Sequence, residues 1–134
     1  MALVLALLAG ALATSNAPGA TADLPPAKEL PSPAPAGSRE PSLALMPDGR
    51  VAMSWLEPAG RRGMALRCAL FDGSRWSAPS TIAAGDSLIA NWADFPSVCA
   101  LGGNRLAAHW LVRGAGGPYV SGIRIRQSED GGRT

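Results

Sequence analysis

The chain has 134 residues, 12 Lys and Arg against 10 Asp and Glu, a net charge of +2, and two cysteines. Basic side chains this few, scattered along the chain and not gathered into a stripe, argue against a nucleic-acid partner. A single His and no cluster of His, Cys and carboxylates argue against a metal site, and no cofactor is expected.

Residues 1–13 are almost all Ala, Leu and Val, and small residues follow, ending in Ala20-Thr21-Ala22. This pattern predicts a signal peptide over 1–22, cleaved before Asp23. The protein is then secreted or periplasmic, with no stable membrane span after cleavage. Residues 23–40 hold five prolines (25, 26, 31, 33 and 35) among Ala and Ser, and read as a linker that favours extended, solvated chain.

Beyond the linker the sequence repeats. Residues 41–56, from Pro41 to Leu56, recur without a gap at 96–111, from Pro96 to Leu111, a spacing of 55 residues. Each copy reads as strand, tight turn, strand, with Asp48-Gly49 at one turn and Gly103-Asn104 at the other. The predicted strands are near 42–46, 50–56, 64–71 and 76–82 in the first unit and 97–101, 105–112 and 119–127 in the second. One small antiparallel sheet per repeat cannot bury both faces alone. The expected fold is therefore all-β, a β-propeller of four-stranded antiparallel blades, with blade one at 41–84 and blade two at 96–134.

Leu43 and Leu45 alternate with Ala44 and Met46, and Leu66, Cys68 and Leu70 alternate with Ala65 and Ala69. Apolar residues on both faces predict a blade covered on both sides. Trp55 and Trp110 take equivalent places on the second strand of each blade and are expected to fill the wedge between sheets. In the strand Gly122 to Gln127, Arg124 and Arg126 are assigned to a solvated face and Ile123 and Ile125 to the opposite one. Cys68 and Cys99 sit in apolar strands of different blades and are read as small buried hydrophobes, with one disulfide as the alternative. His109 is read as a structural, hydrogen-bonded side chain, and Tyr119, the sole tyrosine, begins the strand after a loop and is placed at the rim.

Adding the repeat spacing to Arg39 gives Asp94, so these two residues are expected at one rim, on neighbouring blades. The connection entering blade two carries Asn91, Trp92 and Asp94, which together offer an amide, a flat apolar platform and a carboxylate suited to hydroxyl-rich sugar rings. A loop folded back on itself, with Asp94 bonded to its own turn and Trp92 plugging the rim, is the alternative.

Ser128-Glu129-Asp130-Gly131-Gly132-Arg133-Thr134 follows the pattern Ser-x-Asp-x-Gly-x-Thr, and a degenerate copy runs from Asp72 to Pro79 with Leu70 where the pattern has Ser. These runs resemble the Asp-box of the sialidase (neuraminidase) superfamily, whose repeats build a six-bladed propeller with its active site at the channel mouth. Ser128, Asp130, Gly132 and Thr134 are by this resemblance structural residues of the box. The box continues with a Trp where the sequence stops, so the expectation is an N-terminal fragment cut inside the second blade.

The resemblance also implies that Arg39, followed by Glu40 and Pro41, matches the Arg and Pro of the family's Phe/Tyr-Arg-Ile-Pro motif and holds a sugar carboxylate. The family's loop acid is an Asp between the second and third strands. The corresponding loop here, Glu57 to Gly63, contains none, and only Glu57 could stand in. Two functions follow as expectations: an exo-glycosidase acting on acidic sugars, with catalytic residues not identified, or a non-catalytic Asp-box propeller that binds glycan or protein. A carbohydrate or glycoconjugate is the expected partner of both.

Overall fold

The computed structural model describes residues 26–117 and 120–134. The signal peptide expected over 1–22 and Tyr119 lie outside the described residues. Residues 26–30 are exposed and without regular structure, and Pro31–Thr134 form the compact unit that carries every strand.

Seven strands follow in order: β1 (Arg39–Leu45), β2 (Val51–Ala59), β3 (Gly63–Phe71), β4 (Ser80–Gly85), β5 (Ser97–Gly102), β6 (Arg105–Arg113) and β7 (Ser121–Ser128). They make two antiparallel sheets, a four-stranded one in the order β1-β2-β3-β4 and a three-stranded one in the order β5-β6-β7. No helix occurs among the described residues, and so none long and apolar enough to cross a membrane.

Local chemistry explains the first hairpin. Val, Met, Leu and Trp alternate with small residues along β1 and β2, and Asp48-Gly49 supplies the turn. Gly49 sits at φ 86°, the Met46 carbonyl accepts from the Gly49 amide (3.0 Å), and Asp48 accepts from both the backbone and the guanidinium of Arg50 (3.1 and 2.7 Å).

Three boundaries differ from the sequence reading. β1 starts at Arg39, inside the segment read as linker, and its register with β2 slips between Arg39 and Ser42. β4 starts at Ser80, beyond the Trp76 expected to open it. Proline has no N–H to donate, so the ladder resumes only after Pro79, while Trp76 makes an isolated bridge to Phe71 with ring centroids 5.1 Å apart. The second sheet also recruits chain ahead of residue 96. Ile89 donates to the Leu111 carbonyl (3.0 Å) and Arg113 to that of Ser87 (2.8 Å), so residues 87–89 pair with the end of β6.

The sheets pack face to face, with β5 lying over β1 and β2. One apolar cluster joins Met46, Ala52 and Cys68 of the first sheet region to Val98, Leu106 and Ala108 of the second. A second joins Leu56, Leu66 and Leu88, with Trp110 packed against it. Trp55 is only 1 % exposed, yet it lies on the opposite face of its sheet from Leu56, beside a hollow bordered by Ser32, Pro35 and Ser38. The proline-rich segment there folds back, with Ser38 donating to the Pro35 carbonyl (3.2 Å).

Two expectations about faces are corrected. Cys68 is buried but Cys99 is exposed, and both are free thiols. Val98 and Ala100 take the packed face of β5, and strict alternation turns Cys99 outward. The arginines of β7 are exposed, as expected, but their face is the one turned toward the first sheet. Pairing sets Arg126 opposite Ala108 and Arg124 opposite Trp110, on the side that meets the first sheet, and Arg126 donates to the Ile82 carbonyl across the gap (2.8 Å). Ile123 and Ile125 are exposed as well, so the second sheet is covered on one side only among the described residues. Long arginine stems tolerate the edge of an apolar interface while their heads find a carbonyl.

The turn after β7 is built by side chains. Asp130 accepts from the Ser128 hydroxyl (2.8 Å), the Arg133 and Thr134 amides (2.9 and 3.0 Å) and the Thr134 hydroxyl (2.8 Å). Ser128 in turn accepts from the Gly132 amide (2.8 Å). Gly131, at φ 77°, donates to the Asn104 carbonyl (2.7 Å), and a Cβ there would come within 2.9 Å of Asn104 Oδ1. That same oxygen accepts from Arg50 Nη2 (2.8 Å), so the turn after β7 is tied to the hairpin turns of both sheets. The degenerate copy keeps the centre of this arrangement, as Asp72 accepts from Ser74 and Arg75 (2.9 Å each to the amides).

These hydrogen bonds hold the Asp130 carboxyl far below the usual range, the Ser128 hydroxyl contributing most, and bring Asp72 down to about 2. A depressed carboxyl contributes stability that is present above the unfolded value of about 4 and is lost as pH falls through the folded one. Asp130→Asn should therefore lower the thermal midpoint at pH 7 and show a smaller deficit at pH 2 to 3; circular-dichroism melts across that range measure it.

Candidate functional site

Between Gly85 and Ser97 the chain is anchored, released and anchored again. Residues 87–89 pair with β6, Leu88 is buried against Leu56 and Leu66, and residues 90–96 then leave the sheet before β5 begins. Two fixed ends hold the excursion on a rigid scaffold, the setting in which loops carry ligand groups.

Asn91 shapes the loop from within. Its Oδ1 accepts from the Ala93 and Asp94 amides (2.7 and 2.9 Å), an Asx-turn, and its Nδ2 donates to Asp94 Oδ2 (2.7 Å). The Asn91 amide is thus engaged inside the turn, and Asp94 is left with Oδ1 and an exposed edge for a ligand. Trp92 is 88 % exposed, so it does not plug the rim, and Phe95 is half exposed beside it.

Arg39, at the first position of β1, is exposed and borders a hollow with Pro41, Met53 and Trp55. Between Arg39 and Pro41 sits a residue that sequence reasoning passed over as a site. Glu40 is only 7 % exposed, holds φ at 56°, and lies in the register slip of β1. Positive φ at a non-glycine residue costs on the order of 1–3 kcal/mol and persists where the surroundings impose it. Among the described residues no group hydrogen-bonds Glu40 Oε2.

Burial pushes the Glu40 carboxyl up, the Arg39 guanidinium pulls it down, and the Asp94 carboxylate pushes it up again. The Glu40 carboxyl therefore responds to the charges of both residues that the repeat spacing paired. The sequence shows only Arg-Glu-Pro, and a charged residue opening a strand is ordinarily solvated, so nothing local announces its burial.

Other candidates are engaged elsewhere. Glu57 accepts from Trp55 Nε1 (2.8 Å) and faces Arg67 Nε at 3.5 Å, so its carboxylate is engaged on the same face of the first sheet as Trp55. His109 is exposed, with Nδ1 3.1 Å from the Ser97 hydroxyl. Among the described residues no three His, Cys, Asp or Glu side chains converge in a way that could hold a metal ion.

Compared with known protein families, with characterised proteins and with solved structures, the chain matches none.

Because Glu40 is raised in the folded state, its protonated form contributes stability that is full below the unfolded value of about 4.3 and declines as pH rises through the folded value. Glu40→Gln should unfold at a higher temperature than the parent at pH 7 and at the same temperature near pH 4. Paired melts at the two pH values read the difference.

Proposed function

We propose that this chain is a sialidase-like Asp-box propeller protein acting outside the cytoplasm, and that the end of the fold carrying Arg39, Trp92 and Asp94 binds a hydroxyl-rich glycan. The observation that carries the reading is Trp92, an aromatic ring bare to solvent on a loop anchored at both ends and braced by Asn91. A large exposed indole on a preformed loop costs little entropy to dock on the apolar face of a sugar ring. Asp94 supplies an acceptor for sugar hydroxyls. Arg39 supplies the fork that recognises a carboxylate, which assigns the ligand to sugars bearing an acid group. Asn91 serves as the brace of the loop.

Calorimetric titration with an oligosaccharide ending in a carboxylate-bearing sugar, and with its neutral counterpart, tests the assignment. Trp92→Ala should weaken both by about tenfold or more. Arg39→Ala should weaken only the acidic one, by about tenfold or more, as a charge-assisted hydrogen bond is worth roughly 1.5–3 kcal/mol. Equal affinity of the parent and both variants would sink the assignment.

Hydrolysis of an acidic glycoside at the same place is the second reading, favoured by Glu40. A buried carboxyl with a raised pKa beside a second carboxylate is the pairing that separates acid from base in glycosidases. Under this reading Glu40→Gln abolishes release of a chromogenic aglycone from an acidic glycoside while binding is kept; a parent protein that binds without turnover leaves the binding function alone.

A further inference from the structure

A single sugar ring on Trp92 leaves Phe95 without a role. Phe95 is 50 % exposed, three residues after Trp92 at 88 %, on a loop whose backbone Asn91 fixes and whose far end is pinned by the buried Pro96. Apolar residues scattered singly over a surface are ordinary, whereas two aromatic rings held out on one braced turn form a patch. Among the described residues the only aromatic rings in contact are those of Phe71 and Trp76, so Trp92 and Phe95 do not stack on each other and offer two separate platforms.

Arginines scattered along the sequence meet at the same end of the fold. Residues 60–62 join β2 to β3, with Ala59 paired to Gly63, so Arg61 and Arg62 stand exposed at the tip of that hairpin. Gly63 is packed against Gly85, where a Cβ would come within 3.1 Å of the Gly85 carbonyl oxygen, so the tip lies next to the start of the connection that carries Trp92. Arg113, at the end of β6, donates to the Asp86 carbonyl (2.9 Å), and Arg39 opens β1 opposite Leu56. The exposed charges at this end are thus Arg39, Arg61, Arg62 and Arg113 against Asp86 and Asp94. From Leu56, level with Arg39, β2 runs on to Ala59 before the tip, roughly 10 Å at about 3.3 Å per residue. The arginines are therefore spread over more than one sugar ring.

We propose that the ligand of this end is a chain of acidic sugars, a polyuronate, with two of its rings on Trp92 and Phe95 and its carboxylates on Arg39 and the Arg61-Arg62 tip. The inference rests on the glycan reading and deepens it. Two platforms on one loop engage two rings, which a single terminal sugar does not supply. Guanidinium forks match carboxylates through paired hydrogen bonds. A chain that repeats its charge at every ring reaches guanidiniums set apart, and each further contact is made within a molecule already bound. Asp94, between the two aromatics in sequence, accepts from a ring hydroxyl and repels a carboxylate, which turns the acid groups toward the arginines.

Calorimetric titration of the whole chain with galacturonate monomer and hexamer tests the proposal, with phosphatidylglycerol vesicles as a second anionic surface. The parent should bind the hexamer more than about tenfold tighter than the monomer, and the gain should shrink as salt is raised, since exposed charges are screened. Phe95→Ala, and separately Arg61→Gln combined with Arg62→Gln, should each weaken the hexamer by about tenfold or more and the monomer by much less. These side chains are exposed, so the variants should keep the parent's circular-dichroism spectrum. Equal affinity for the two lengths, with both weakened by Trp92→Ala, overturns the polyuronate and leaves the glycan reading in place. Hexamer binding that neither variant moves also overturns it. No binding of monomer, hexamer or the carboxylate-ended oligosaccharide removes both. Capture by the vesicles without binding of the hexamer makes the patch a membrane contact and overturns the proposal.

Discussion

Everything in this structure depends on one packing arrangement, the laying of the Val98, Leu106 and Ala108 face of the second sheet on the Ala52 and Cys68 face of the first. Neither sheet has enough strands to bury its own apolar residues, and small side chains at Ala52, Ala100 and Ala108 let the two backbones come close. The arrangement also sets the position of every other feature. It forces Leu88 down between Leu56 and Leu66, which fixes the base of the loop that displays Trp92. It brings the hairpin turns close enough for Arg50 to reach Asn104, on which the Asp130 turn is seated.

The site proposed at the loop end has two kinds of residue. Asn91 and Leu88 hold the backbone, one by an Asx-turn and the other by burial, and neither offers a free group to a ligand. Trp92, Asp94 and Arg39 are exposed and offer a ring, a carboxylate edge and a guanidinium. Glu40, next to Arg39 in sequence, is buried and at positive φ, and its carboxyl is raised chiefly by burial, with Arg39 opposing and the Asp94 charge adding to the rise. This division is what preorganisation requires, as rigid support carries the contact groups and reduces what binding must order.

How much was legible varies with the range of the interaction involved. The hairpins around Asp48-Gly49 and Gly103-Asn104 were readable because period-two alternation and turn residues act within a few positions. The Asp130 turn was readable as a motif for the same reason, since every partner of its carboxylate lies within four residues. The start of β4 was misplaced by a local rule applied too loosely, because the missing N–H of Pro79 delays the ladder to Ser80. Alternation also separated Arg124 and Arg126 from Ile123 and Ile125 correctly, but it did not show that the isoleucines are as exposed as the arginines. Polarity alone places arginine in solvent, where both are; only the register with Ala108 and Trp110 shows that their face is the one turned toward the first sheet.

The sequence by itself determined the repeat, the antiparallel hairpins, the turn chemistry, and which residues share a face, because each of these is set by neighbours along the chain. Only the tertiary structure decided which face of each sheet is covered, that Cys99 and the β7 isoleucines are bare, that Asn91 braces its loop, and that Glu40 is buried. The physical reason is that burial belongs to pairs of surfaces. Two sheets with apolar residues on both faces can stack in more than one way, and the choice is made by the fit between residues some fifty positions apart.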